Sequence, residues 1–198
     1  MSAFRYLQNL PMTGSLCPSS KRLAEAVYQV ALRNRESATE LVFAGIGSGV
    51  IARRFLHWDQ STIFVDIDRA FCADFALQVH RQEHRVVCGD IADILRAAPG
   101  SHGRIVISCL PLQGLYYSER VLTALLREVQ QGAQVLFYSY VPLWRWTRFC
   151  RTLHAASVEA RRERIIVRNL PPAFVYSLAL RACVASSAGA SNARPSAG

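Results

Sequence analysis

The sequence predicts an α/β fold: a doubly wound, mostly parallel sheet of seven strands that ends in a C-terminal antiparallel hairpin. Three observations carry this expectation. Short apolar runs alternate with stretches of helical periodicity, as a parallel sheet covered on both faces requires. The first run, LVFA at 41–44, stops in glycines spaced G-x-G-x-G (Gly45, Gly47, Gly49) and resumes as a helical pattern. The next two runs each end in a carboxylate, Asp66 and Asp90, which places those groups and the glycine loop along one rim of a parallel sheet.

Each element follows from local chemistry. Ser19 or Ser20 precedes KRLAEAVYQVALRNR, in which Leu23, Val27 and Val30 recur at helical spacing, so a serine caps a first helix. Strands are expected at 41–44, 62–66, 86–88, 104–109 and 133–140, with helices near 48–57, 70–81, 91–98 and 118–130 between them. The last two runs, RIIVRNL and AFVYSLAL, are separated by Pro171 and Pro172, which cannot donate to a ladder and enforce the turn of a hairpin added to the sheet edge. Beyond Ala185 the chain is Ala, Ser, Gly, Asn and Pro with almost no bulky side chain, so a disordered tail is expected over 185–198. The domain is expected over 19–184, preceded by an N-terminal lid or surface-binding segment at 1–18.

Composition narrows the function. With 198 residues, 51% hydrophobic and 19% charged, the chain suits one compact core. There is no apolar run of about 18 residues and no long apolar core near the N-terminus, so a cytoplasmic protein is expected, with possible peripheral attachment to the inner face of the membrane. The six cysteines (17, 72, 88, 109, 150 and 183) form no C-x-x-C pair, and the five histidines (57, 80, 84, 102 and 154) show no ligand spacing. Neither a disulfide framework nor a metal site is expected, and the histidines read as surface or helix-end residues.

Glycine loops also close ordinary strands, and aspartates at strand ends often cap the next helix. Capping explains one such residue more easily than a pair in register with a glycine loop. Asp66 lies about twenty residues after the loop, where a carboxylate accepts ribose hydroxyls. A dinucleotide fingerprint, G-x-G-x-x-G/A, fails here because Val50 replaces the last small residue. The G-x-G-x-G pattern is instead the one used for S-adenosylmethionine, whose chemistry needs alignment of a methyl with a nucleophile more than a catalytic triad or metal.

Four segments go further: TGSLCPSSKRLAEAV at 13–27, LVFAGIGSG with FVDID, ISCLPLQG at 107–114, and NLPPAFVYSL at 169–178. With them the chain resembles the bacterial phospholipid N-methyltransferases, class I S-adenosylmethionine-dependent enzymes related to the rRNA adenine dimethyltransferases. The resemblance implies a Rossmann-like methyltransferase fold. It implies that Gly45, Gly47 and Gly49 line the methionine and ribose part of S-adenosyl-L-methionine, that Asp66 holds the ribose hydroxyls and that Asp90 accepts from the adenine amino group. Ser108, Leu110 and Pro111 would occupy the motif that orients the acceptor nitrogen, and Tyr140 is a candidate for holding the amine, with a rim-packing role as its alternative.

Two positions depart from the family. Phe43 stands where an acidic residue usually precedes the first glycine, and Leu112 stands where adenine-methylating relatives carry a stacking aromatic. A flat nucleobase acceptor is thereby disfavoured. The net charge of +9, with Arg145, Arg148, Arg151, Arg161, Arg162, Arg164 and Arg168 late in the chain, predicts attraction to an anionic surface, lipid or RNA. PLWRWTRFCRTL mixes Trp144, Trp146 and Phe149 with arginines and suits either a headgroup interface or packing on the sheet; FRYLQNL is a second candidate contact. The expected partners are thus S-adenosylmethionine, a phospholipid or small-amine acceptor and an anionic membrane surface, with nucleic acid less favoured. The expected function is methyl transfer to an amine, foremost a phospholipid ethanolamine headgroup. Methylation of a small amine or hydroxyl in a specialised-metabolite pathway and an RNA-binding module with a decayed cofactor site are the alternatives.

Overall fold

The computed structural model describes residues 20–97, 103–110, 112, 119–143, 147–169 and 171–181. The expected lid at 1–18, Ser19, Cys17, His102, Pro111, Trp144, Arg145, Trp146, Cys183 and the tail at 185–198 lie outside these residues.

Helix α1 (Lys21–Leu32) starts at Ser20, whose Oγ accepts the Leu23 N–H at 3.1 Å. The order is then β1 (Glu40–Ala44), β2 (Ser61–Asp66), α2 (Arg69–Ala76), β3 (His84–Cys88), α3 (Ile91–Ala97), β4 (Arg104–Ser108), α4 (Glu119–Gln130), β5 (Gln134–Ser139), α5 (Thr147–Ala155), β6 (Val158–Ile166) and β7 (Ala173–Leu180). One seven-stranded sheet runs β3-β2-β1-β4-β5-β7-β6. The five strands from β3 to β5 are parallel, and the β6–β7 hairpin joins through an antiparallel β5–β7 pairing.

Alternation within strands sorts the core into two layers. Leu41 and Phe43 of β1, Phe64 of β2 and Ile105 and Ile107 of β4 face α1 and α2. Val42, Ala44, Ile63, Val65 and Val106 face α3, α4 and α5. Both faces are therefore covered, which explains why the parallel strands read as unbroken apolar runs.

Four local expectations are corrected. The helix expected at 48–57 is a turn followed by a short 3₁₀ segment, Ala52–Phe55, because Gly45, Gly47 and Gly49 all take positive φ and consume the residues that would start it. The helix expected at 70–81 ends at Ala76, well before the polar segment leading into β3. The sixth strand begins earlier than RIIVRNL, at Val158, and its charged residues tolerate this because β6 is an edge strand. His84 is buried at the start of β3 rather than at the surface.

The segment read as a headgroup interface holds α5. Phe149 and Leu153 are buried, and Phe149 packs edge-on against Phe137 at 5.6 Å, so the sheet-packing reading holds for Phe149.

Candidate functional site

The sheet reverses its winding between β1 and β4, so a crevice opens at the C-terminal ends of these strands. Two loops meet there. The Gly45 N–H donates to the Val65 carbonyl at 2.8 Å, and the Cys109 N–H donates to the Ala44 carbonyl at 2.8 Å. Gly45 has φ +87°, and a Cβ on it would stand 3.0 Å from Leu110 Cδ2 and 3.3 Å from the Cys109 carbonyl carbon. Glycine is needed here for both conformation and space. At Gly47, φ is +50° and a Cβ would meet nothing within 4 Å among the described residues, which leave this backbone face open.

Asp66 organises the loop. Its Oδ2 accepts the Gly47 N–H at 2.8 Å and its Oδ1 accepts the Asp68 N–H at 2.9 Å. Burial raises its carboxyl above the usual range, while the N–H groups of Gly47, Asp68 and Ile67 work against that shift. Each carboxylate oxygen can accept more than one bond, so ribose hydroxyls remain chemically admissible partners.

The capping alternative resolves differently for the two aspartates. Asp68, which the sequence reading did not single out, caps α2 by accepting from Ala70 N at 2.7 Å and Phe71 N at 3.4 Å, and so leaves Asp66 to the loop. Asp90 does cap: its Oδ1 accepts the Ala92 N–H at 2.8 Å, while its Oδ2 takes Arg120 Nη1 of α4 at 3.1 Å. Asp90 is thus tied to the start of α3 and to α4. Arg120, which also pairs with Asp93, has no motif that would have marked it.

The residues expected to orient the acceptor follow β4 and β5. Ser108 pairs with Ala44 in the β1–β4 register; it is fully buried, and its Oγ has no partner among the described residues. Such an orphaned hydroxyl is costly unless something else satisfies it. Leu110 lies against Gly45, as above. Pro111 lies outside the described residues. Tyr140 follows β5 and meets Tyr138 edge-on, ring centroids 5.6 Å apart, on the α1 side of the sheet. This contact packs the ring and leaves the role of its hydroxyl open to proposal. Burial raises the Cys109 thiol above its usual range, so it stays protonated at neutral pH.

Three further placements bear on the site. Phe43 is fully buried and packs on Phe55 and Phe64 at 5.6 and 5.9 Å, so an acidic residue there would enter an aromatic cluster. Leu112 is only 3% exposed and belongs to the opposite core layer. Ile67 is 61% exposed beside Asp66. Exposure of an aliphatic side chain in a β-type run is what the pattern TIFVDID conceals, since every apolar residue in it reads as core.

No family model matches the sequence, and no curated protein matches it. Solved structures do share the fold. A glycopeptide N-methyltransferase aligns over 91% of this chain and 99% of its own, with TM-score 0.60 and 8% identity. A TehB-like S-adenosylmethionine-dependent methyltransferase from Corynebacterium glutamicum covers 90% of this chain and 96% of its own, with TM-score 0.56 and 16% identity. The fold is that of the S-adenosylmethionine-dependent methyltransferases. A third example, magnesium protoporphyrin IX methyltransferase from Synechocystis with bound S-adenosylmethionine, covers 82% of this chain and 79% of its own at TM-score 0.56 and 13% identity. Methyltransferase folds thus serve acceptors as different as a glycopeptide and a porphyrin, so the acceptor must be argued from this chain's own residues. The residues fit the cofactor in chemistry: the Gly47 backbone face left clear by the described residues adjoins the Asp66 carboxylate, an acceptor suited to ribose hydroxyls. Among the described residues no His, Cys, Asp or Glu group could hold a metal, and Cys72, Cys88, Cys109 and Cys150 are free thiols.

Proposed function

We propose that this protein transfers a methyl group from S-adenosyl-L-methionine to an amine, and that the amine is the ethanolamine headgroup of a phospholipid. The Gly47–Asp66 cradle at the switch point supports the cofactor most directly. When bound, the cofactor supplies an electrophilic methyl on sulfonium. Gly45, Gly47 and Gly49 bring the backbone close to it, Asp66 accepts the ribose hydroxyls, and the exposed Ile67 offers an apolar face to the base. Asp90 accepts from the adenine amino group with lone pairs left over from Ala92 and Arg120.

On the acceptor side the buried Ser108 hydroxyl and the Tyr140 hydroxyl are the polar groups that orient an amine, with Leu110 of the same motif against Gly45. The amine must arrive or become neutral, since an ammonium has no lone pair to attack with. Burial of Leu112 supports an aliphatic amine over a nucleobase, because that position has no ring to stack and no exposure with which to stack it.

The test is transfer of radiolabelled methyl from S-adenosylmethionine into phosphatidylethanolamine vesicles and, in parallel, into a pool of water-soluble amines. Label in the lipid supports the reading. Label only in soluble amines moves the acceptor to a small metabolite, and calorimetry showing no heat with S-adenosylmethionine would remove the enzyme reading altogether.

A further inference from the structure

The edge of the sheet beyond β7 carries a surface that methyl transfer does not explain. Strand β6 is the outermost strand, and its register brings Ile166 opposite Ala173 and Ile165 opposite Phe174. Phe174 in turn pairs with Ser139, at the C-terminal end of the parallel strand β5. The end of β6 and the turn after it therefore lie on the same rim of the sheet as the glycine loop. At this place Ile165 is 47% exposed and Val167 is 72% exposed. Arg162 on the same strand face as Ile165, Arg164 on the other face and Arg168 in the turn are all exposed, and Arg22 at the start of α1 donates to the Arg168 carbonyl at 3.0 Å, which adds a fourth guanidinium.

Charge on an edge strand has an ordinary purpose, since it deters pairing with another sheet. The β-bulge between Arg162 and Arg164 serves the same purpose. Neither device explains two adjacent aliphatic side chains left in water, which would invite the association that the arginines prevent. Exposed aliphatic side chains on a segment rich in exposed guanidinium groups match an anionic lipid surface, where the apolar side chains enter the acyl boundary and the cations stay at the phosphates. A single-stranded nucleic acid would need exposed rings on which to stack bases. Among the described residues the ring beside Ile165 is Phe174, which is half-buried and stacked on Tyr176 with centroids 6.4 Å apart, so it is not a free platform.

We infer that the β6 end and the β6–β7 turn form a docking face for an anionic membrane, which sets the mouth of the cofactor crevice toward the headgroups. The inference rests on the phospholipid reading for its purpose but not for its test. In flotation at low salt, the full chain should bind vesicles of phosphatidylglycerol mixed with phosphatidylcholine and leave pure phosphatidylcholine vesicles unbound. The double change Ile165→Asp with Val167→Asp should weaken binding at least about tenfold. Arg162→Gln with Arg164→Gln should weaken it and flatten its salt dependence. Arg127→Gln, on α4 away from this rim, should change nothing; equal loss there would show a general charge effect and overturn the assignment. Thermal melts of each variant identify any that fail to fold, and the arginine pair, being exposed, provides the second test if the aspartates do not. Unbound anionic vesicles, unaltered binding by both folded β6 variants, or RNA binding that depends on the arginines alone would each overturn the inference. Vesicle binding without methyl transfer to lipid would refute the acceptor reading and leave the docking face standing. Lipid methylation with binding indifferent to β6 would do the reverse.

Discussion

Strands β1 and β4 lie side by side, and their two ends treat polar groups in opposite ways. At the start, Arg104 of β4 is buried between two carboxylates: its Nε and Nη2 reach Glu40 Oε2 of β1 at 2.7 Å, and its Nη1 reaches Glu128 Oε2 of α4 at 3.1 Å. Glu128 is 1% exposed. Next to this triad the Thr39 N–H donates to the Gly103 carbonyl at 2.7 Å, and a Cβ on Gly103 would strike the Ser37 carbonyl oxygen at 2.7 Å, so the backbones here are packed against each other. At the other end, Gly47 faces open space and the Ser108 hydroxyl is buried without a partner among the described residues. The closed end satisfies its charges within the protein and fastens the strands. The open end leaves backbone and hydroxyl groups for something else to satisfy. Stability and binding are thus assigned to opposite ends of the same two strands.

The comparison breaks most visibly at the triad. Arg104→Ala leaves Glu128 buried without its cation, and removal of one partner from a buried ion pair costs about 3–5 kcal/mol. Chemical denaturation should show that loss, while calorimetry on the remaining folded protein should find S-adenosylmethionine affinity nearly unchanged. A large loss of affinity in folded protein would mean that the two ends are coupled.

Two glycines sharpen the contrast at the open end. Gly45→Ala places a methyl 3.0 Å from Leu110 Cδ2 at φ +87°. About 1–3 kcal/mol of stability should go, and binding with it. Gly47→Ala has space for its methyl, so the stability change should be smaller, about 1 kcal/mol from the positive φ. Its methyl occupies the open face, so affinity should nevertheless fall sharply. Denaturant melts paired with calorimetry separate the two effects; equal effects of both variants on both readouts would contradict an open face at Gly47.

Asp66→Asn should come next. The amide keeps one acceptor oxygen and loses the other, so either Gly47 or Asp68 loses its bond. Cofactor affinity should fall about tenfold, equivalent to about 1.4 kcal/mol. Unchanged affinity would remove Asp66 from the ribose site.

Much of this was legible in the sequence, for reasons that also mark where legibility stops. The parallel strands, the hairpin around Pro171 and the glycine loop follow from local pattern, and the loop's distance to Asp66 follows from one crossover, through the 3₁₀ segment Ala52–Phe55, between parallel strands β1 and β2. The hairpin turn also has a cause beyond proline, since the Asn169 amide donates to the Pro171 carbonyl at 2.6 Å. The division of labour among Asp66, Asp68 and Asp90 was not legible, because capping depends on which N–H groups face which oxygen, a matter of ångströms that FVDID does not encode. Phe43 illustrates a related limit. Its position in the motif marks an absent carboxylate, but only the packing of Phe55 and Phe64 against it shows what took the carboxylate's place. Helix α5 was obscured by arginines interleaved with its two buried residues, Phe149 and Leu153.

His84 gives the smallest effect and qualifies the closed end as fully satisfied. It starts β3, is buried beside Phe64 with ring centroids 6.0 Å apart, and its ring nitrogens have no well-formed partner among the described residues. Burial lowers its pKa below the ordinary 6.5, Arg81 lowers it further, and the carbonyls of Glu83 and Leu56 oppose the fall only in part. The folded protein therefore binds this proton less readily than the unfolded chain does. Stability should be unaffected above the unfolded value and should decline as pH falls through it, because only the unfolded chain takes up the proton there. Asp66, whose carboxyl is raised by burial, acts in the opposite sense. Denaturant melts between about pH 7.5 and 5.5 should show the decline in the native protein and a flatter profile in His84→Gln. An equal slope in both would assign the acid sensitivity elsewhere.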